Sequence, residues 1–391
     1  MKIASRMARI GTESAFDVLV KARALEAIGR DVIHLEIGEP DFDTPRHVVE
    51  AAGDALEAGY THYGPALGLP ELRQAIAEYL AAGRGVEVPW QRVVVTPGGK
   101  PPLFYTIMAS IEPGDEVIYP NPGYPIYESV VSFVGGTPVP LPLREEREFR
   151  FDADEFRSLV TDRTRLIILN SPQNPTGGVL TRSDLEVVAE AAIERDLLVM
   201  SDEIYSRIIY EGEHTSIATL PGMLDRTVLL DGFSKTWAMT GWRLGFAVYP
   251  EALLPHIDRL IVNSVSCTAS FSQRAAIAAL EGPQDDVTRM VAEFRRRRDA
   301  VVSGLNRIPG VACLSPHGAF YVFPNVRALG RSSHELADLL LEAAGVATLS
   351  GTAFGEYGEG YLRLSYANSL ENLNRAVERI GQLAGELVHA D

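Results

Sequence analysis

Between about residues 46 and 280 the chain alternates short apolar runs with longer amphipathic ones. The runs "RVVVT" (92–96), "EVIY" (116–119), "RLIILN" (165–170), "LLVMSDE" (197–203), "TVLLDG" (227–232) and "RLGFAVY" (243–249) are strand-length and apolar on both faces. Strands of that kind belong to a parallel sheet buried on both sides. Helix-length segments such as "RSDLEVVAEAAIERD" (182–196) separate them, as crossover connections would. Beyond residue 285 the pattern changes. "DDVTRMVAEFRRRRDAVVSGLNRI" (285–308) repeats apolar positions at helical spacing; "VACLSPHGAFYVF", "VATLSG" and "GYLRLSYANS" read as strands, and "SSHELADLLLEAAG" and "ENLNRAVERIGQLAGELV" as helices.

The expected fold class is therefore α/β: a large domain with a mainly parallel central sheet covered by helices, plus a smaller α+β domain. The expected division is an N-terminal segment, 1–45, contributing to the small domain and the site entrance, a large domain over 46–284 and a small one over 285–391. Four consecutive arginines at 295–298 face round the whole helix, so they are expected to be mostly solvated.

Charge removes some classes of partner. With 36 Lys+Arg against 52 Asp+Glu the net charge is −16, a field that repels nucleic acid and anionic membranes. No run approaches a membrane span, and the N-terminus lacks an apolar stretch before a small-residue cleavage site. Cys267 and Cys313 form no metal or redox motif. A cytoplasmic protein is expected.

The chain has four lysines against 32 arginines. A codon bias toward arginine accounts for the excess, but a lysine kept against it draws attention where arginine could not serve. Arginine stays protonated, whereas a desolvated lysine can lose its proton and attack a carbonyl. Lys235, in "DGFSKTWAMTGWRLG" (231–245), is that candidate. In an open parallel sheet ligands bind outside the carboxyl ends of the strands, and three strand ends carry polar groups: Asn174, Asp202 with Tyr205, and Ser234 with Lys235. A fourth element, "VVVTPGGKPPLFYTIMASI" (93–111), passes through Gly98 and Gly99 into a helix, whose N-terminus favours an anion. Arg243 adds a guanidinium able to grip a phosphate with two parallel bonds. An amine, a buried acid, a phenol, an amide and a phosphate cradle together suit pyridoxal phosphate, whose aldehyde needs an amine and whose ring nitrogen needs a carboxylate.

The stretches "GEPDFDTP" (38–45), "YGPALGLPELR" (63–73), "NSPQNPTGG" (170–178), "SDEIY" (201–205), "SKTWAMTGWRLG" (234–245) and "RLSYA" (363–367) closely resemble class I/II aminotransferases of the fold type I pyridoxal-phosphate superfamily. They run in order through nearly the whole chain. The resemblance implies that Lys235 carries the cofactor as an imine and shuttles the substrate's α-proton. It implies that Asp202 pairs with the pyridine nitrogen, and Tyr205 and Asn174 with the phenolic oxygen. Gly98, Gly99, Lys100, Ser234 and Arg243 match the phosphate side, and Tyr63 resembles the tyrosine reaching the phosphate from the other subunit of a homodimer. Tyr124, in "NPGYPIY" (121–127), falls where an aromatic ring stacks on the cofactor. Arg363 looks like the arginine that grips the substrate α-carboxylate, helped by the backbone at Gly38, with Asn174 also at the substrate.

Two departures stand out. Pro101 and Pro102 follow Lys100, which leaves the contact of Lys100 open. Tyr124 stands where the aspartate-using branch has tryptophan. The implied reaction is transfer of an amino group from an L-amino acid to a 2-oxo acid in a ping-pong cycle. A lyase or cyclase working through the same carbanion is the alternative, and a regulatory protein on the same body is a third. The substrate side-chain pocket is expected near residues 10–16, the partner subunit and Ser266–Ser270. Glu13 there either favours a cationic substrate or ends a helix.

Overall fold

The computed structural model describes residues 1–389. Seven strands form the large sheet: β1 (Val93–Thr96), β2 (Glu116–Asn121), β3 (Thr137–Pro142), β4 (Thr164–Asn170), β5 (Leu198–Asp202), β6 (Thr227–Gly232) and β7 (Gly245–Val248). Their order is β1-β7-β6-β5-β4-β2-β3. Neighbours run parallel except at β7, which is antiparallel to both β1 and β6. The mainly parallel sheet is thus as the apolar runs require. Every residue of β1, β2, β6 and β7 is buried, because helices cover both faces. The crossover Arg182–Glu194 begins where Thr181 and Asp184 cap each other's backbone reciprocally, which satisfies donors that the first turn leaves free.

Strand β3 has no counterpart among the apolar runs read above. Its sequence, "TPVPLP", places Pro138, Pro140 and Pro142 at alternate positions. Several prolines in one strand are best tolerated at a sheet edge, and β3 is an edge strand. All six residues lie in register with β2, and alternation puts the three positions lacking an N–H where their missing donors would face the open edge.

A second, antiparallel sheet joins β8 (Tyr321–Val322), β9 (Leu349–Ser350) and β10 (Leu362–Ser365), in the order β9-β10-β8. The run "VACLSPHGAFYVF" is therefore mostly not strand, and "VATLSG" divides between two sheets. Val346–Ala347 pairs in parallel with Ile33–His34 from the N-terminal segment. Helices Asp285–Leu305, Ser333–Glu342 and Leu370–His389 pack around this sheet, over a core that includes Phe294, Phe320 and Tyr366. Among the described residues no helix is long and apolar enough to cross a membrane.

The arginine run departs from expectation. Arg296 is exposed and pairs with Glu293, but Arg297 and Arg298 are only 7% and 5% exposed. Arg297 donates to Asp41 at 2.6 Å and lies over the Phe42 ring. Arg298 donates to the Pro316 carbonyl at 3.0 Å and lies over Tyr210. The helix face carrying them is turned toward the "GEPDF" segment and the small-domain core. Their charges are matched by Asp41 and Glu293 for Arg297 and by Asp299 for Arg298, as buried charge requires.

Candidate active site

Strands β4, β5 and β6 end side by side, and the loops that follow them open onto a cavity of about 380 Å³. That lies within the usual range for a small-molecule site. Beyond β6 the chain makes a compact turn anchored by the buried rings of Phe233 and Trp237, 5.2 Å apart. The turn carries Ser234 and Lys235 into the cavity wall. Lys235 Nζ donates to the Gly38 carbonyl at 2.6 Å. Desolvation, only partly opposed by the Glu39 carboxylate, brings its pKa down to about 8, so about a tenth of the amine is neutral and nucleophilic at about pH 7, far more than for an ordinary lysine.

Asp202 closes β5. Its Oδ2 accepts from the Tyr127 hydroxyl at 2.7 Å and its Oδ1 from the Ile204 N–H at 3.2 Å. Burial lifts its pKa to about 6 against these two hydrogen bonds. The adjacent carboxylates behave differently. Glu203 and Asp231 both pair with Arg84, whereas Asp202 pairs with no cationic side chain among the described residues. A buried carboxylate facing a cavity without a cation is suited to receive one.

The other wall is built by the small sheet and the N-terminal segment. Alternation along β10 sends Leu362 and Leu364 into apolar cores and leaves Arg363 lining the cavity. Arg363 donates to Asn174 Oδ1 at 3.4 Å and to the Glu36 carbonyl, and its guanidinium lies over the Tyr321 ring at 4.6 Å. Its Nε is buried with no hydrogen-bond partner, a donor a substrate carboxylate could take. The Tyr205 and Tyr321 hydroxyls are 2.8 Å apart. A Cβ at Gly38 would overlap the Tyr321 hydroxyl, so this close approach needs glycine.

The phosphate-side candidates also converge. Gly99 begins the helix Lys100–Ser110 and lines the cavity with Ser234 and Arg243. Gly98, at φ +97°, lies directly against the Arg243 guanidinium, where a Cβ would overlap it. Lys100 lines the cavity but pairs with Glu13, so its contact is a carboxylate of its own chain. Tyr124 donates to the same carboxylate. Tyr63 is 91% exposed and lies outside its own chain's cavity, as does the 266–270 segment.

Two aromatic residues are prominent among the cavity residues that escaped the sequence reading. Tyr127 holds Asp202, and Tyr321 underlies Arg363. Tyr127 stood inside the motif "NPGYPIY", at the start of the helix Ile126–Val134. Tyr124 precedes that helix, and the chain turn between them brings the two rings edge-on at 5.6 Å.

The donor set fits pyridoxal phosphate: a desolvated amine, a buried carboxylate lacking a cation, and an anion cradle of helix N-terminus, hydroxyl and guanidinium. A family model for aminotransferase class I and II matches residues 30–380. The chain is 44% identical over 361 residues to the aspartate aminotransferase of Pyrococcus abyssi, covering 91% of this chain and 92% of that one. It is 42% identical over 375 residues to the arginine–pyruvate transaminase of Pseudomonas aeruginosa, covering 96% and 95%. The crystal structure of an aromatic aminotransferase from Pyrococcus horikoshii superposes with a TM-score of 0.89 at 44% identity, covering 93% of this chain and 99% of that one. The chain belongs to the class I and II aminotransferases.

Proposed function

We propose that Lys235, Asp202 and Arg363 divide the work of this pyridoxal-phosphate-dependent aminotransferase, which moves an amino group from an L-amino acid to a 2-oxo acid in two half-reactions at one cavity. The observation carrying the proposal is the convergence of a desolvated amine, an unpaired buried carboxylate and a partly unsatisfied arginine on that cavity. Pyridoxal phosphate, when bound, supplies the aldehyde that takes the amino group and the electron sink for the substrate's α-carbon. Arg363 holds the substrate α-carboxylate through a charge-assisted pair. Lys235 Nζ takes the substrate's α-proton and would deliver it to the carbon that the cofactor supplies as its aldehyde, across the nitrogen from the α-carbon. Asp202 keeps a proton on the ring nitrogen. Asn174 and Tyr205 stabilise the phenolic oxygen, and Ser234, Arg243 and the Gly98–Gly99 backbone hold the phosphate.

With an amino acid and no acceptor, each site is expected to release one equivalent of 2-oxo acid and then stop. Continuous release of ammonia and 2-oxo acid would instead assign the chain to elimination. The relatives named above act on different donors, so membership alone does not choose one.

The reading extends to a homodimer in which Tyr63 completes the partner's phosphate pocket; its 91% exposure supports this. In a two-fold dimer such a contact occurs at both sites. Lys235→Ala and Tyr63→Ala chains, each nearly inactive, are expected to recover roughly a quarter of wild-type activity when refolded together in equal amounts. Half the dimers are then mixed, and each has one intact site. Recovery no greater than the average of the parents would place each site within a single chain. The division into 1–45, 46–284 and 285–391 belongs to the same proposal, supported by the pairing of Ile33–His34 with Val346–Ala347. A cytoplasmic setting is supported by the two free cysteines.

A further inference from the structure

Glu13 stands at the capping position of the helix Ser14–Ala27, but its side chain makes no capping bond. Instead its Oε1 accepts from the Tyr124 hydroxyl and pairs with the Lys100 ammonium. Glu13 Oε2 accepts no hydrogen bond among the described residues, and it is not one of the buried polar atoms left without a partner. Glu13, Phe16, Lys100 and Tyr124 line the same cavity as Lys235 and Arg363.

Of the other charged residues lining this cavity, Lys235 and Asp202 belong to the proposed chemistry and Glu39 accepts from the Thr240 hydroxyl. Arg243 and Arg363 are matched to the two anionic groups of the proposed reaction, the phosphate and the α-carboxylate. Glu13 is matched to neither. Lys100 offsets its charge through Oε1, yet Oε2 of this cavity-lining residue accepts no hydrogen bond among the described residues, and the Tyr124 and Lys100 contacts hold the side chain off its own helix. A free oxygen on a fixed carboxylate offers a charge-assisted bond to a cationic donor.

Building on the aminotransferase reading, we propose that Glu13 selects the amino-acid donor, and that this site prefers one whose side chain ends in a guanidinium or ammonium group. That group takes Glu13 Oε2 while the α-carboxylate takes Arg363, and Lys100 remains on Oε1. A donor ending in a carboxylate meets like charge at Glu13, and it reaches Lys100 only by breaking the Glu13–Lys100 pair. A small neutral donor gains nothing and is not repelled.

The test uses the holoenzyme and two readouts. In the first, kcat/KM of the donor half-reaction is measured with arginine, alanine and aspartate. The expected wild-type order is arginine, alanine, aspartate. Glu13→Gln is expected to lower the arginine-to-alanine ratio by about 10- to 100-fold, the range of one charge-assisted hydrogen bond, and to raise the aspartate-to-alanine ratio. The second readout is calorimetric binding of 5-guanidinopentanoate and of glutarate, neither of which has an amino group to transfer. Glu13→Gln should weaken the first by a similar factor and strengthen the second. Lys100→Met, which leaves Glu13 uncompensated, should tighten 5-guanidinopentanoate in the opposite sense. Because ratios and unreactive ligands are compared, a general loss of folding in one variant does not imitate the result. An aspartate preference in the wild type, or an unchanged arginine-to-alanine ratio in Glu13→Gln while alanine still reacts, overturns the proposal alone. Failure of all three donors to convert the cofactor to its amino form overturns the reading of the cavity on which it rests.

Discussion

Lys235→Ala is expected to lower the rate of amino-group transfer by at least about 10⁴-fold, the upper range for loss of a general acid–base. On the proposed reading the residue does two things, bonding the cofactor and moving a proton, and alanine does neither. The other amine in the cavity, Lys100, is engaged by Glu13 and offers no replacement. Lys235→Arg should be nearly as inactive although it keeps the charge, because a guanidinium does not give up its proton. The lysine amine, with a pKa near 8, does so readily. The decisive measurement is mass spectrometry after borohydride reduction of the protein mixed with pyridoxal phosphate. A cofactor adduct still formed at the active site of Lys235→Ala would assign the covalent role to another residue.

Much of this arrangement was legible because the strand ends announced themselves. A buried strand ending in Asp202 or running on to Ser234 and Lys235 places polar groups where water is excluded, which a chain does not do without partners or a ligand. The alternating pattern that identified β4, β5 and β6 also fixed their carboxyl ends on one edge of the sheet. Strand β3 was invisible for the opposite reason. Its prolines lower every local strand signal, and only the knowledge that it lies at an edge makes them acceptable.

What sequence could not supply were the long-range partners of buried charge. Asp202 and Glu203 are neighbours in the chain, yet alternation points them in different directions. Glu203 meets Arg84 at 2.8 Å and His214 at 2.8 Å. Burial alone would raise the Glu203 pKa, but His214 and Arg84 bring it down to about 2. Arg84 comes from a helix more than a hundred positions earlier in the chain, and no local pattern joins the two. The same holds for Arg297 and Asp41. Read along their helix, four arginines in a row look like a solvated band. Read in the fold, Arg297 fastens the helix to the N-terminal segment that carries Gly38, and Arg298 fastens it to the Pro316 carbonyl. Glu13 shows the converse. Its position suggested a helix end or a cation site; it does stand at a helix end, but its side chain accepts from Tyr124 and pairs with Lys100 rather than capping the helix.

Asp202→Asn should separate holding the cofactor from using it. On the proposed reading cofactor affinity depends on many contacts, including the Lys235 bond and the phosphate cradle, so it should change little. The single-turnover rate should fall by about 10³-fold or more, about 4 kcal/mol in the barrier at about 1.36 kcal/mol per decade. The reason is electrostatic. In the protein alone the buried Asp202 has a pKa of about 6, since nothing cationic stands beside it. A protonated ring nitrogen placed there would lower the Asp202 pKa, and the carboxylate would raise that of the nitrogen, each stabilising the other's charged form. Asparagine offers no such charge. Tyr127→Phe should produce a smaller effect of the same kind, because it removes one of the two hydrogen bonds that favour the ionised carboxylate. The Asp202 pKa then rises, and activity should be lost at a higher pH on the acid side than in the wild type. If Asp202→Asn kept a single-turnover rate within about tenfold of wild type, less than about 1.4 kcal/mol would be attributable to the carboxylate, and the charge that activates the ring would have to come from elsewhere in the cavity.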